Sequence, residues 1–233
     1  MAVSLISVVG KTEQAYADET ETMWLGADKL KEGFNTANAA TVWYGYNNDP
    51  TNTLKENYKW RVVGFNGVDS DTNTLSVSGE MTLIAAGNIK TGVQFNTSSN
   101  YNSKYDGSNL QSEINNNIVT QLKGAEKTAI KARLLEGNEN RSTAYNDGNI
   151  IWGSNANAIM WPLSYKEAQN SLNANVRTLK ANDATYYHWW LRSPGLSAIL
   201  AAVVDRDGNV SFSGVDVTNT IGVRPAFYLN LSS

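Results

Sequence analysis

Side chains that could perform chemistry are scarce in this sequence. It contains one histidine, His188, and no cysteine, which excludes thiolate metal sites, cysteine nucleophiles and any Ser-His-Asp triad built without His188. His188 precedes Trp189 in a predicted strand, so we assign it a structural role. Glu126, Glu136 and Glu139 could form an acid pair, but they lie on or beside a solvated helix and nothing fixes their separation. We therefore expect no catalytic residue, no enzymatic activity and no cofactor.

A cluster of oxygen ligands is the other chemical candidate. Asp205, Asp207 and Asn209 alternate, as oxygen ligands of calcium sometimes do. Asp207 and Gly208 also separate two apolar runs, and this dipeptide favours a type I′ hairpin turn, which needs positive φ at both central positions. We interpret the acidic residues as turn and surface residues and predict no metal site.

The composition sets the scale of the elements that must position any site. The chain has 233 residues, of which 41% are hydrophobic and 10% aromatic, enough for one large domain with a substantial core. The formal net charge is −3, and no basic run accompanies aromatic residues, so nucleic acid is not an expected partner. No apolar stretch is long enough to span a bilayer.

The N-terminal residues resemble the end of an export signal. An apolar run at 2–9 is followed by Ala15-Tyr16-Ala17, which matches an A-x-A cleavage pattern. We assign residues 1–21 to a signal-peptide remnant and residues 22–233 to a single domain, and we predict that the protein is secreted or at the cell surface. A frayed terminus or a first strand at this position is the alternative.

Periodicity and turn residues predict an α+β domain of short antiparallel strands, two or three helices and long loops. Ser108 with Gln111, and Ser164 with Glu167, have the spacing of capping boxes and predict two helix starts. One apolar helical face consists of Leu110, Ile114, Ile118, Val119 and Leu122, and a second helix is predicted over 125–135. Loops are predicted at 88–107 and 137–149. Strands are predicted at 58–65, 75–77, 81–85, 150–152, 158–161, 186–191, 201–204, 209–213 and 223–229.

The C-terminal motifs carry a family resemblance. WWLRSPG at 189–195, DGNV at 207–210 and GVRPA at 222–226 resemble a bacterial domain of the C-type lectin fold, in its formylglycine-generating-enzyme-like variant. The resemblance covers about 58–231. The cysteines on which that enzyme group depends are absent, so its activity does not transfer. The Glu-Pro-Asn, Gln-Pro-Asp and Trp-Asn-Asp triplets of calcium-dependent sugar binding are absent as well.

Within this fold, the arrangement is similar to the variable proteins of diversity-generating retroelements. Such systems mutate adenines in asparagine codons, which cannot yield Lys, Glu, Gln, Met or Trp. None of these residue types occurs in 195–222, although all of them occur elsewhere in the chain. The resemblance therefore implies a hypervariable, adhesin-like binding surface at about 196–219, whose ligand is a protein or a glycan, with a protein favoured.

The resemblance separates exchangeable positions from a fixed scaffold. The scaffold residues are Trp189, Trp190, Arg192, Pro194, Arg224 and Pro225, and both arginines are predicted to brace loops through their planar donors. The exchangeable, ligand-binding positions are Leu196, Ser197, Ala198, Ile199, Leu200, Val203, Asp205, Arg206, Ser211, Phe212, Ser213, Val215, Asp216, Thr218 and Asn219.

Two alternatives concern this segment. Ile199 and Leu200 could instead belong to a buried strand, in which case they would be core residues. The whole protein could also be an invariant adhesin or a structural module of the cell envelope, with the same fold and no diversification. An enzyme is the third possibility, and an acidic pocket away from 196–219 would favour it.

Overall fold

A computed structural model of the chain describes residues 7–9, 41–44, 59–67, 75–98, 103–122, 124–135, 155–179 and 188–231. Most of the elements in these ranges are β-strands, and the helices are few and short. The architecture is therefore a small α+β fold dominated by sheets.

The strands alternate with helices of one or two turns. The helical elements are α1 (Asn109–Glu113), which continues into a π-helical turn (Ile114–Ile118) and a 3₁₀ turn (Val119–Gln121), α2 (Gly124–Ala129), a second π-helical turn (Glu167–Ser171) and α3 (Ala174–Arg177). The strands are β1 (Ser7–Val9), β2 (Thr41–Trp43), β3 (Lys59–Phe65), β4 (Glu80–Ala85), β5 (Lys90–Gln94), β6 (Ile130–Lys131), β7 (Arg133–Leu135), β8 (Asn155–Ala158), β9 (Trp161–Pro162), β10 (Trp189–Pro194), β11 (Leu200–Val204), β12 (Val210–Asp216), β13 (Thr220–Val223) and β14 (Pro225–Asn230).

Two main sheets and one small sheet contain these strands. The larger sheet has the order β1-β2-β3-β4-β14-β6, with β9 paired to the start of β14, and the second has the order β12-β11-β10-β13-β5. β7 and β8 form a separate pair. All pairings are antiparallel except that of β10 with β13. Arg224 lies between β13 and β14, so it marks the point where the chain passes from one sheet to the other.

Aromatic rings from both sheets fill the core. Trp60 and Phe227 pack edge-to-face with ring centroids 4.7 Å apart in the larger sheet. Phe95 and Trp190 pack in the same way at 5.6 Å beside the second sheet. Such pairs add to the stabilisation that burial of their apolar area already provides.

Both predicted helix starts are present. Ser164 Oγ accepts from Glu167 N at 3.1 Å, and Ser164 N donates to Glu167 Oε2 at 2.8 Å, which is the reciprocal bonding of a capping box. Ser108 Oγ accepts from Gln111 N at 3.0 Å, but Gln111 Oε1 accepts from Gly107 N instead of Ser108 N. The apolar face predicted behind Ser108 is buried throughout.

Three element predictions were wrong. The predicted loop at 88–107 contains β5, because Val93 and Phe95 are buried against β13 and Trp190 and override the polar composition of their neighbours. The predicted second helix ends at Ala129 and continues as β6 and β7, since Ile130 pairs with Leu229 of β14. Residues 75–77 are not a strand, since Leu75 lies in a turn and Ser76 and Val77 have no regular secondary structure.

The hairpin at Asp207–Gly208 is present, but its turn is not type I′. Gly208 has φ of 82°, whereas Asp207 has negative φ. Gly208 N donates to Asp205 O at 3.1 Å and Asp205 N donates to Asn209 O at 2.9 Å. These bonds describe a type I turn that is followed by a left-handed glycine, the usual form of a three-residue hairpin loop.

Several predictions fall on residues outside the described ranges. They include the loop at 137–149, the strand at 150–152, Glu136 and Glu139. Of the predicted leader, only Ser7–Val9 is described, and it pairs with Thr41–Trp43 as an antiparallel strand. In the part of the chain that the structure describes, no helix has both the length and the apolarity needed to cross a membrane.

Candidate functional site

β10 is the buried strand that supports the candidate site. Trp189 and Trp190 are completely buried, and each indole N–H has a main-chain acceptor. Trp189 Nε1 donates to Arg177 O at 3.3 Å, and Trp190 Nε1 donates to Val93 O at 2.7 Å. Burying an indole without such a partner would cost free energy, so these bonds fix both rings. Pro194 and Pro225 are buried as well.

Arg192 is buried at the centre of a charged cluster. Its Nη1 donates to Pro162 O at 2.9 Å and to Glu167 Oε2 at 2.5 Å. This one guanidinium joins β10 to β9 and to the π-helical turn at Glu167–Ser171, which are the contacts that a bracing arginine would make.

Arg133 is a second cationic partner of Glu167, and the sequence did not predict it. Arg133 Nη1 donates to Glu167 Oε1 at 2.5 Å, and the guanidinium carbon lies 5.2 Å from the centre of the Trp161 ring. Burial alone would raise the pKa of Glu167, but the positive charges of Arg192 and Arg133 outweigh it and lower this pKa to about 2. The carboxylate therefore stays ionised inside the protein. No spacing in the sequence connects residues 133, 167 and 192.

Arg224 braces the crossing between the two main sheets. Its Nε donates to Ala85 O at 2.7 Å, its Nη1 donates to Val176 O at 2.7 Å, and its guanidinium carbon lies 5.1 Å from the centre of the Trp189 ring. Burial lowers the pKa of Arg224 from its ordinary value, yet arginine remains protonated at neutral pH. A buried cation is thus held by carbonyl dipoles and an aromatic face.

The segment at 195–200 is held through its main chain. Gly195 N donates to Leu200 O at 2.6 Å, Ser103 N donates to Ala198 O at 2.6 Å, and Val217 N donates to Ile199 O at 2.9 Å. Main-chain bonds of this kind do not depend on the side chains that the residues carry. At 196–200 these bonds therefore hold the backbone without help from particular side chains.

Two glycines allow this segment to lie close to β12. A Cβ atom on Gly195 would lie 2.8 Å from Leu200 Cβ and 2.9 Å from Ser213 O. Gly214 has φ of 72°, and a Cβ atom there would lie 2.6 Å from Ala201 O. Both positions need glycine for steric reasons.

Most side chains of the predicted exchangeable set are at least partly exposed, but Val203 is buried and the partly buried Val215 packs against the core. Leu196 is 44% exposed and Ile199 is 43% exposed, so the alternative that Ile199 belongs to the core is wrong, while Leu200 is half-buried at the start of β11. The remaining predicted positions are at least partly exposed, and Val203 is the exception. The inward-facing positions Ala201, Ala202, Val204 and Val217 are all buried.

Val203 was wrongly included among the outward positions. Only 2% of this residue is exposed, because it pairs with Trp190 on β10 and with Ser211 on β12 in the middle of the sheet. Alternation along β11 is broken by the register shift between Ala201 and Val203. The β-bulge is a tertiary feature that the sequence pattern did not show.

Acidic residues at the two turns accept hydrogen bonds from the backbone of the same turn. Replacing them should therefore lower stability. Asp205 Oδ1 accepts from Asp207 N at 2.8 Å and from Asn209 N at 2.9 Å. Asp216 Oδ1 accepts from Thr218 N at 2.8 Å and from Thr218 Oγ1 at 2.6 Å. Burial would raise the pKa of Asp205, but hydrogen bonds from the Asn209 side chain and from these backbone N–H groups lower it. The bonds from Thr218 lower the pKa of Asp216. The bonds to Asp205 agree with the turn role that we predicted for it.

Phe212 brings in a residue from outside the predicted segment. Its ring lies edge-to-face with that of Tyr165, with centroids 6.0 Å apart and planes at 83°. Both residues are half-buried. Sequence reasoning assigned Tyr165 only to a capping-box helix, because a contact between residues 47 positions apart leaves no trace in local spacing.

The other residues considered for chemistry are His188, possible metal ligands and Glu126. His188 is half-exposed, and its carbonyl accepts from Gly222 N at 3.0 Å, a main-chain role that any residue could fill. Among the described residues, no group of three or more His, Cys, Asp or Glu side chains could hold a metal ion. Glu126 lies on α2, and its main-chain oxygen accepts a hydrogen bond from Tyr44 Oη.

Comparison with known proteins gives one match. A family model described as Domain of unknown function (DUF6273) matches residues 79–231. No curated protein and no solved structure matches the chain. The matched residues include the Arg192 cluster, Arg224 and the whole of 196–219.

Proposed function

We propose that this chain, which belongs to the DUF6273 family, is an exported ligand-binding protein whose residues 196–219 form a diversified binding surface. The proposed mechanism is recognition without chemistry, by exchangeable side chains on a constant backbone. We further propose the C-type lectin fold as the closer description of its α+β architecture, on the strength of the WWLRSPG and GVRPA motifs.

One observation carries this proposal. The segment at 195–200 is held by main-chain hydrogen bonds to Ser103, Ser213 and Val217, while Leu196 and Ile199 extend into solvent. A backbone fixed in this way incurs little ordering cost when it binds a partner. Substitution of outward side chains changes stability by less than about 0.5 kcal/mol, so many residue types are compatible with the same fold.

Exposed aliphatic residues support a binding role over a passive one. Leu196, Ile199 and the half-buried Phe212 present apolar surface near polar Ser211 and Ser213. An apolar centre with a polar rim is the usual anatomy of a protein–protein contact. Leucine and isoleucine offer no hydrogen bonds to sugar hydroxyls, and for this reason we favour a protein ligand over a glycan.

Sequencing the gene across a natural population tests the proposal. We expect amino-acid differences to concentrate at the outward positions of 196–219, at codons that differ by adenine substitutions, and a reverse transcriptase with a near-copy template repeat beside the gene. Residues 189–195 and 222–226 should not differ. An invariant segment with no template repeat would instead favour an adhesin or envelope module without diversification.

A further inference from the structure

Tyr165 is hydrogen-bonded through its main chain to a buried strand. Its backbone N–H donates to Ser193 Oγ at 2.7 Å, and Ser193 is buried in β10. The preceding residue, Ser164, is bonded reciprocally to Glu167, which the buried Arg192 holds. The main chain at Tyr165 therefore has no freedom to follow changes in the exchangeable residues.

The Tyr165 ring nevertheless lies within the candidate surface. It contacts Phe212 edge-to-face at 6.0 Å, and Phe212 belongs to β12, the outermost strand of its sheet. Leu196 lies beside this position, since its N–H points to the carbonyl of Ser213 at 3.5 Å. A fixed aromatic residue thus adjoins exchangeable ones.

Within residues 196–219, charged side chains occur only in the turns at the two ends of β12. Arg206 is paired with Asp207 at 3.7 Å in the hairpin turn, and Asp216 is bonded to Thr218 in the next turn. Residues 196–200 and 211–215 carry no charge. A charged group that docked against Phe212 would lose water and find no opposite charge within 196–200 or 211–215, whereas an apolar group would gain by burial.

We infer that Tyr165 is a constant contact of the binding surface, and that Tyr165 and Phe212 together receive an uncharged, apolar side chain of a partner protein. The inference rests on the proposed function, because it takes residues 196–219 as the surface that meets the partner. Tyrosine is enriched among the residues that contribute most to protein–protein affinity, since its ring buries a large area with few rotatable bonds.

Selection of random peptides displayed on phage, with the full chain as the immobilised target, tests this inference. We expect selected peptides to be rich in leucine, isoleucine, methionine or aromatic residues. Their dissociation constants should rise about tenfold or more with Tyr165→Ala, the loss typical of a truncated central aromatic. Tyr165→Phe should keep the affinity, because the ring is the contact.

Lys166→Ala is the matched control, since Lys166 is the exposed neighbour of Tyr165 and should not affect binding. Melting temperatures of all variants exclude loss of folding as the cause. If Tyr165→Ala is less stable than the parent, Tyr165→Leu replaces it, because leucine keeps apolar volume without a ring.

The possible failures are distinguishable. Selected peptides that lose affinity with Phe212→Ala or Ile199→Asp, but not with Tyr165→Ala, would overturn the role of Tyr165 and leave the proposed function intact. Peptides that bind equally well to all of these variants would place binding elsewhere and contradict the proposed function too. Enrichment of no peptide, or only of charged ones, would overturn the inference that an apolar side chain is received.

Discussion

The charged cluster around Glu167 and the outward segment at 196–200 both adjoin β10, and they are held in opposite ways. In the cluster every bond depends on a specific side chain, since Glu167 contacts the guanidinium groups of Arg192 and Arg133 and the backbone of Ser164. In the segment the bonds run between main-chain atoms. Changing a side chain should therefore be costly in the first region and nearly neutral in the second.

This difference suggests how one chain can combine a constant frame with a changeable surface. Buried ion pairs tolerate no loss of a partner, because the remaining charge stays desolvated. Where main-chain bonds hold the chain, the residue type is restricted at positions such as Gly195 and Gly214, because a Cβ atom there would collide with its neighbours. Four predictions test this contrast, in decreasing order of the expected loss of stability.

Arg192→Met should be the most damaging single change. It leaves Glu167 buried with only Arg133 as its cationic partner, and breaking a buried pair of this kind costs about 3–5 kcal/mol of the free energy of unfolding. Denaturant titration measures the loss. Arg206→Met, at a side chain that is 71% exposed, is the control and should stay within about 0.5 kcal/mol. A melting temperature unaffected by Arg192→Met would refute the bracing role.

Acid should weaken the same cluster over a defined pH range. The folded pKa of Glu167 is about 2, below the ordinary value near 4.3 for an unfolded chain. Its stabilisation is therefore present above about pH 5 and is lost as the pH falls toward 2, with a total on the order of 3 kcal/mol. Free energies of unfolding measured between these pH values should show this fall.

Glu167→Gln provides the comparison for the pH effect. The variant should be less stable than the parent at neutral pH, since the two guanidinium groups lose their carboxylate. Its stability should also vary less with pH between 5 and 2. Parallel pH profiles for parent and variant would mean that another carboxyl group causes the acid sensitivity.

Asp205→Ala should have a smaller effect, because it removes bonds to the exposed hairpin backbone. The loss of acceptors for Asp207 N and Asn209 N should cost about 1 kcal/mol, since solvent screens this carboxylate. Thermal unfolding measures it, with Asp207→Ala as the control because that side chain is 68% exposed. Equal stability of the two variants would mean that the Asp205 side chain does not stabilise the turn and can be exchanged freely.

Ile199→Ala should produce the smallest change, within about 0.5 kcal/mol, because Ile199 is 43% exposed and its carbonyl makes the bond that holds it. Val203 lies in the middle of the sheet, on β11. Val203→Ala should therefore lower the free energy of unfolding by about 2 kcal/mol, because it leaves a cavity. Denaturant midpoints compare the two. A loss at Ile199 as large as that at Val203 would mean that the outward segment contributes to the core.

Local chemistry predicted some of these features and missed others for identifiable reasons. The Ser164–Glu167 box was predictable, because both partners lie within one helical turn. The positions of Arg192 and Arg224 in the motifs indicated a bracing role, but their acceptors could not be predicted, since Pro162, Ala85 and Val176 are distant in sequence. Arg133 and Tyr165 were missed because their roles arise only from contacts between elements.

The sequence by itself determined the dominance of strands, the helix caps, the lack of thiol chemistry and the separation of outward from inward residues over most of 196–219. Each of these depends on neighbours within a few residues, where periodicity and capping act. Only the tertiary structure decided that Val203 is buried, that β5 completes the second sheet and that Glu167 joins two arginines. Those outcomes depend on sheet register and long-range ion pairing, which are settled when the strands pack together.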